Sequence, residues 1–377
     1  MRRAGKIIFG MAVFALLMIF NNKDVSAQVR IHYIGLNAST DAILLEDNGH
    51  FGIVDSGEDW DYPWSDKLAY PFQVSGINRN SGFEQQVIYY LKSVGVTSSN
   101  LDFYIGTHAH SDHIGSADEI INEFHPKKLY LKKYDDSEIS NTSHHWDNQY
   151  VYWNAIKAAR DNGVEVIQDL EEGMEIRLGD HTKLTLYNTQ VRSGVGDDNT
   201  NTIVVKVQSW NTTTLLGGDL SAYVARELIA SGSLGKVDIE KMPHHGYVSN
   251  NAADLIMAFS PKTAIVTGSI SNLETESKIL LQSVNADVRS VISLGAATVN
   301  TFTAAGYSTE VTWVEPGWLK YGNYRYYMDD RGRMSKEGKK NIDSKDYYFD
   351  EKGRAVTFWS EEEKDDDETE LQASRVE

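Results

Sequence analysis

From Gln28 to about Val314, short apolar runs alternate with stretches of helical periodicity, the pattern of an α/β domain. Residues 30–36, 42–45 and 51–54 read as strands and 82–94 as a helix. Residues 101–106 read as a buried strand that runs straight into a histidine-rich segment, followed by a helix at 117–124, a strand at 128–131 and a helix at 154–161. Strands dominate 174–207 and 213–216, after which helix and strand alternate through 222–229, 252–259, 264–267 and 274–285.

After Pro316 the pattern changes to one rich in tyrosine, glycine and charge. Tyr326-Tyr327-Met328-Asp329 through Gly332 recurs 21 residues on as Tyr347-Tyr348-Phe349-Asp350 through Gly353. This predicts a β-hairpin repeat, with paired aromatics on a strand and then an acidic-glycine turn. Such a unit cannot bury its own face, so the pair must lean on the large domain or on each other. Further on, residues 361–370 hold eight acids against one lysine and read as a solvated tail. At the other end Arg2, Arg3 and Lys6 precede an apolar run at 7–20 and the small-residue cleavage site Val25-Ser26-Ala27, the layout of a signal peptide. That run of 14 residues is shorter than the roughly 20 a spanning helix needs. The expected organisation is a signal peptide at 1–27, a catalytic domain at 28–314, hairpin repeats at 315–358 and an acidic tail at 359–377, with no transmembrane segment once the signal is cleaved.

Composition narrows the chemistry. The 377 residues include no cysteine, which excludes disulfides, a cysteine nucleophile and thiolate-ligated zinc. A formal net charge of −18 argues against nucleic acid as a partner, because phosphate binding needs a positive footprint.

Thr107-His108-Ala109-His110-Ser111-Asp112-His113-Ile114-Gly115 lies where the 101–106 strand ends and a helix begins. His108, His110, Asp112 and His113 are ligand-type side chains at a density with no ordinary structural use. His108 and His110 sit two apart and can reach one ion; Asp112 and His113 follow as the chain turns and can reach a second. Leu215-Leu216-Gly217-Gly218-Asp219 puts a carboxylate just past an apolar strand, with glycines that let the backbone come close. Met242-Pro243-His244-His245-Gly246 puts two histidines at the end of another strand. Alone, Asp219 reads equally as a turn residue and one histidine of the pair as a surface residue.

The motifs HxHxDH, GGD and HHG resemble those of the metallo-β-lactamase superfamily. The resemblance implies a four-layer αββα fold of the α/β class, here with a small C-terminal β-hairpin module, and two zinc ions at one edge of the sandwich. It gives His108 and His110 to one ion, Asp112, His113 and His245 to the other, and Asp219 as the bridge. Asp55, in Ile53-Val54-Asp55-Ser56-Gly57, matches the early Asp-x-Gly of the family and is expected to orient a ligand rather than bind metal. Many members carry a further histidine between the first motif and the bridging aspartate. Here that region reads Gly196-Asp197-Asp198-Asn199-Thr200-Asn201-Thr202, and neither His181 nor the His144-His145 pair has the expected setting, which leaves water or Asn199 to fill in.

Over about residues 30–300 the chain is similar, more narrowly, to the teichoic acid phosphorylcholine esterases of Gram-positive bacteria. Residues 40–46, Asn48-Gly49-His50-Phe51, Asp55-Ser56-Gly57-Glu58-Asp59, 130–134, Trp146-Asp147-Asn148 and Asp197-Asp198-Asn199 carry that likeness. It implies a secreted or cell-wall-associated phosphodiesterase that hydrolyses phosphorylcholine esters of a wall polymer or lipid with a metal-activated water. Asp112 and His244 are the candidate catalytic residues, His244 for proton transfer. Trp60, Trp146 and Tyr247 are candidate walls for a choline headgroup and Lys133 or its neighbour Lys132 for phosphate; core packing or plain solvation is the alternative for each. The 317–353 text resembles choline-binding repeats, with Trp318, Tyr326 and Tyr327 as one wall of a cation–π cage. A hairpin cap packed on the catalytic domain is the other reading, since the second repeat lacks the opening tryptophan. The rival functions are another hydrolase on the same metals, acting on a lactam, a lactone or a nucleic-acid phosphodiester, and a wall-binding protein with an inactive hydrolase domain.

Overall fold

The computed structural model describes residues 28–60, 68–69, 77, 82–247, 252–292 and 294–356; the expected signal peptide and acidic tail lie outside the described residues. The first sheet takes β1 (Val29–Ile34), β2 (Ala42–Asp47), β3 (His50–Ser56), β4 (Leu101–Gly106), β5 (Lys128–Leu131) and β6 (Glu165–Ile167). The second takes β7 (Glu175–Leu178), β8 (Thr182–Tyr187), β9 (Val204–Ser209), β10 (Thr212–Leu216), β11 (Ile239–Lys241), β12 (Thr263–Val266) and β13 (Asp287–Ser290). The chain then returns through β14 (Ala297–Thr303) and β15 (Gly306–Thr312), giving an eight-stranded sheet ordered β15-β14-β1-β2-β3-β4-β5-β6 against a seven-stranded one ordered β13-β12-β11-β10-β9-β8-β7.

The strand pattern explains the layering. Along β4, Phe103 and Ile105 enter the core between the sheets, while Leu101 and Tyr104 enter the core under the helices of the first sheet. With both faces covered, such a strand shows no polar alternation. Helices α1 (Glu84–Ser93), α2 (Ser111–Ile114), α3 (Ala117–Phe124) and α4 (Asn148–Asp161) belong to the first half. In α3 the buried positions Ala117, Ile120, Ile121 and Phe124 follow a 3.6-residue period, and Asp118, Glu119 and Glu123 take the other side. Helices α5 (Ala222–Ser231), α6 (Ala252–Phe259) and α7 (Thr275–Ser283) bring Val224, Ala225, Leu228, Leu255, Ile256 and Leu281 into two smaller cores on the second sheet. The result is four layers, αββα.

The C-terminal hairpin β16 (Gly317–Tyr321) with β17 (Tyr324–Met328) docks on the helical side of the first sheet, where Leu319, Tyr326 and Met328 join the core. The Tyr89 hydroxyl donates to Glu315 O at 2.6 Å and Met334 N donates to Gln86 Oε1 at 2.9 Å across the same contact. A second unit, β18 (Gly338–Ile342), β19 (Lys345–Phe349) and β20 (Ala355–Val356), follows. Strand alternation turns Tyr326 inward, onto the face opposite Trp318 and Tyr327, whose rings meet edge to face at 5.2 Å. The ring that joins Trp318 from the second unit is Tyr347, at 4.7 Å, and Arg325 already lies 4.7 Å over Trp318.

Strand β11, expected only as the strand that ends at the histidine pair and without bounds, carries two charged residues, yet Ile239, Glu240 and Lys241 are all fully buried. Glu240, in register between Leu215 and Ala264, has no hydrogen-bond partner, and burial pushes its carboxyl up from 4.5 to about 8. Between those values the unfolded chain ionises this group while the folded chain keeps it protonated. Stability should therefore fall as pH rises from 5 to 8, by about 1.4 kcal/mol per pH unit from this residue. Denaturant melts of the metal-free protein across that range are expected to show the slope in the wild type and its loss in Glu240→Gln; parallel curves contradict the assignment.

Candidate metal centre

The ends of β3, β4, β10 and β11 meet at one edge of the sandwich, and each delivers part of the cluster. Asp55, near the end of β3, adopts a left-handed backbone (φ 59°) that turns its carboxylate toward β4. Asp55 Oδ1 accepts from Thr107 N at 2.8 Å, and Oδ2 accepts from Thr107 Oγ1 at 2.7 Å and His113 Nδ1 at 2.8 Å. With its own proton given to Asp55, Thr107 Oγ1 accepts from His108 Nδ1 at 3.0 Å. Both histidines are thereby fixed with Nδ1 protonated and Nε2 turned into the site.

The other half is built by a run of left-handed backbone, His244 (φ 51°), His245 (φ 53°) and Gly246 (φ 89°), which buries His245 and leaves His244 partly exposed. His245 Nδ1 lies 3.1 Å from Asp41 Oδ1 and 3.1 Å from Thr267 Oγ1, so Nε2 faces Asp112 Oδ2 at 3.2 Å and Asp219 Oδ1 at 3.5 Å. His113 Nε2 lies 3.1 Å from the same Asp219 oxygen. Gly218 (φ 49°) brings Asp219 in, where a Cβ would stand 2.7 Å from the Thr202 methyl. His108, His110 and Asp219 offer donor atoms within 4.8 Å of one another, as do Asp41, His113, Asp219 and His245.

Asp219 is thus common to two groups. Asp41 meets the Nδ1 sides of His113 and His245 and pairs with the fully buried Lys241, so it supports the second group from behind, whereas Asp112 faces the Nε2 side. Lys241 Nζ also donates to Gly218 O at 2.9 Å.

A pair of cations suits this donor set. The Nε2 atoms of His108 and His110 are buried without a hydrogen-bond partner. Burial, with His113 and His110 nearby, holds His108 well below its ordinary pKa. Burial also opposes charge on His113 and His245, but Asp219, Asp55 and Asp112 push His113 up to about 10, and Asp219 with Asp41 holds His245 well above its usual range. Burial would raise Asp219, yet His113, His245 and His244 hold it well below the carboxylate range. Metal ions in place of those protons satisfy the same carboxylates.

The candidates around the cluster divide. Trp146, itself left-handed (φ 37°), stands edge-on to the His110 ring at 4.9 Å and stacks on His144 at 5.0 Å. Tyr247 is 5.6 Å from the His244 ring and 44% exposed, at the rim. His244 Nε2 lies 3.6 Å from Asp219 Oδ2. Asn199 sits in the turn Asp198–Asn201, where its backbone N donates to Asp197 Oδ1 at 2.8 Å. Trp60 packs on Gly82 and carries Lys336 at 4.6 Å and Lys352 at 5.8 Å over its ring, both from the C-terminal units. Lys133 is exposed and pairs with Asp169, while Lys132 is buried, donates to Gln190 O and is held down to about 7 by that burial. Sequence reasoning passed over Thr107, Asp41 and Lys241. Thr107 at least stands directly before the motif, but Asp41 and Lys241 are single polar residues at strand ends.

A strand-end cluster of histidines and carboxylates on an αββα sandwich is the donor set of a metal site. The family model described as the Metallo-beta-lactamase superfamily matches residues 37–268, and the chain belongs to that superfamily. ComE operon protein 3 of Bacillus subtilis (strain 168) is 26% identical over 227 residues, 58% of this chain and 26% of that protein, so the chain matches about a quarter of that relative's length. Among solved structures, the metallo-beta-lactamase fold protein YhfI from Bacillus subtilis aligns with a TM-score of 0.45 and 12% identity over 73% of this chain and 100% of its own. CmlA, a diiron beta-hydroxylase from Streptomyces venezuelae, aligns at 0.41 and 11% over 74% and 54%. No helix among the described residues is long and apolar enough to cross a membrane.

Asp55→Asn removes the charge that fixes His113 and Thr107. Zinc affinity measured by competition with a chelating dye is expected to fall by about 10- to 100-fold; unchanged affinity contradicts the support role.

Proposed function

We propose that the protein is an exported binuclear-zinc phosphodiesterase acting on phosphorylcholine esters of a cell-wall polymer or lipid. The observation that supports this substrate best is the half-buried Trp146 ring set against the candidate ligand His110. With one face of Trp146 covered by His144, its other face would be the one to take a quaternary ammonium, which is attracted to the π cloud without needing a hydrogen bond. Tyr247 offers a second aromatic group at the His244 rim. The Trp318, Tyr327 and Tyr347 rings, of which Trp318 already carries Arg325, would form a second choline contact and tie the enzyme to its polymer.

Two bound divalent ions would supply Lewis acidity toward a phosphoryl oxygen and acidify a water for attack. The protein's part is to hold Asp112, Asp219 and the histidines in place through Asp55 and Asp41. His244, at the rim with Nε2 3.6 Å from Asp219, would pass a proton to the leaving oxygen.

Hydrolysis of p-nitrophenyl phosphorylcholine tests the reading, with bis-p-nitrophenyl phosphate for comparison and His110→Ala as control. Zinc-dependent release that prefers the choline ester and drops by at least about 100-fold in the variant is expected for a ligand to a catalytic ion. Metal-loaded protein that hydrolyses only the second ester, or a lactam or lactone, would favour another hydrolase of the fold.

A further inference from the structure

We infer that Asp197 is the remaining protein donor to the first metal, beside His108 and His110, and that His144 positions it. The inference rests on the metal site and is independent of the substrate proposed above. Asp197 Oδ1 lies 3.5 Å from His110 Nε2, a buried nitrogen that makes no hydrogen bond. A hydrogen bond would draw the pair to about 2.7–3.2 Å. Two donors on one tetrahedral zinc, with bonds of about 2.0–2.2 Å, stand about 3.3–3.6 Å apart. The observed spacing is that of neighbouring ligands.

The carboxylate is held for this purpose from several sides. Asp197 caps the turn Asp198–Asn201, with Oδ1 accepting from Asn199 N at 2.8 Å. Its Oδ2 lies 2.9 Å from His144 Nδ1, and Gly196 O lies 3.1 Å from that same nitrogen. Both neighbours are acceptors, so His144 Nδ1 carries a proton and donates. The His144 ring is fixed by stacking on Trp146, within 6° of parallel, and Trp146 stands against His110. Asp198 ties the turn to the metal loop, since its Oδ2 accepts from Ala109 N, between the two histidines, at 2.8 Å. Asp197 is the outermost donor, beyond the set of His108, His110 and Asp219, and half-buried. The rival donor is Asn199, whose side-chain oxygen is buried without a hydrogen-bond partner.

The test is zinc titration of the metal-free full chain against a chelating dye, with bound zinc counted by mass spectrometry. The wild type is expected to take up two ions. Asp197→Asn keeps the turn cap but donates less strongly, and should weaken one of the two by about 10-fold or more, with the other unchanged. Asp197→His should restore both, and His144→Ala should weaken the same ion by a smaller factor. Two unchanged ions in Asp197→Asn, or loss of the ion in Asn199→Ala while Asp197→Asn keeps it, overturns the assignment. Wild-type protein that takes up one ion overturns the two-metal site itself. Thermal melts without metal separate these outcomes from misfolding, and the Asp197→His arm, which exchanges one metal donor for another, is read even if the asparagine variant is unstable.

Discussion

The Asp55 carboxylate, with three hydrogen bonds from Thr107 and His113, is the constraint on which the metal edge depends. It joins the end of β3 to the end of β4, sets the protonated nitrogen of His113 directly and that of His108 through Thr107, and so turns two Nε2 lone pairs the same way. Asp41 does the equivalent for His245 from the start of β2, with Lys241 balancing its charge. Because Asp41 reaches from the first sheet to Lys241 and His245 of the second, the site exists only when both sheets are assembled.

Such an edge is costly to the fold. Carboxylates and imidazoles are crowded out of water, and non-glycine residues sit in left-handed backbone at Asp55, His244 and His245. Strain and unsatisfied donors of this kind persist only where the surroundings over-determine them. Here the surroundings are the apolar layer between the sheets, with Ile31, Leu45, Val54, Ile105, Leu186, Val205 and Leu216, and the helices on either face. The scaffold supplies the stability, and the cluster spends part of it on readiness to bind cations.

Much of this was legible in the sequence, for definite reasons. β4 and α3 have one-residue-scale signals: a short run buried on both faces, and a helix with apolar positions at one period. His108, His110, Asp112 and His113 were legible as a donor cluster because ligand-type residues at that density have few other uses, whereas Asp219 and His245 were singled out by the resemblance to the superfamily. Asp41 and Lys241 were not, because each acts through partners distant in the chain and is locally an ordinary polar residue. The hairpin repeat was visible, but not which way its tyrosines face: only the docking of Leu319 and Met328 decides that Tyr326 points inward. The lysine contacts over Trp60 likewise come from the fold, joining residues nearly three hundred positions apart.

Anomalous diffraction at the zinc absorption edge, from crystals grown with zinc, tests whether two cations share Asp219 at this edge. Two peaks about 3.5–4 Å apart, one beside His108 and His110 and the other beside His113 and His245, with Asp219 between them, are the expected result. A single peak, or peaks only among the separate acids Asp59, Asp118 and Glu119, would contradict it.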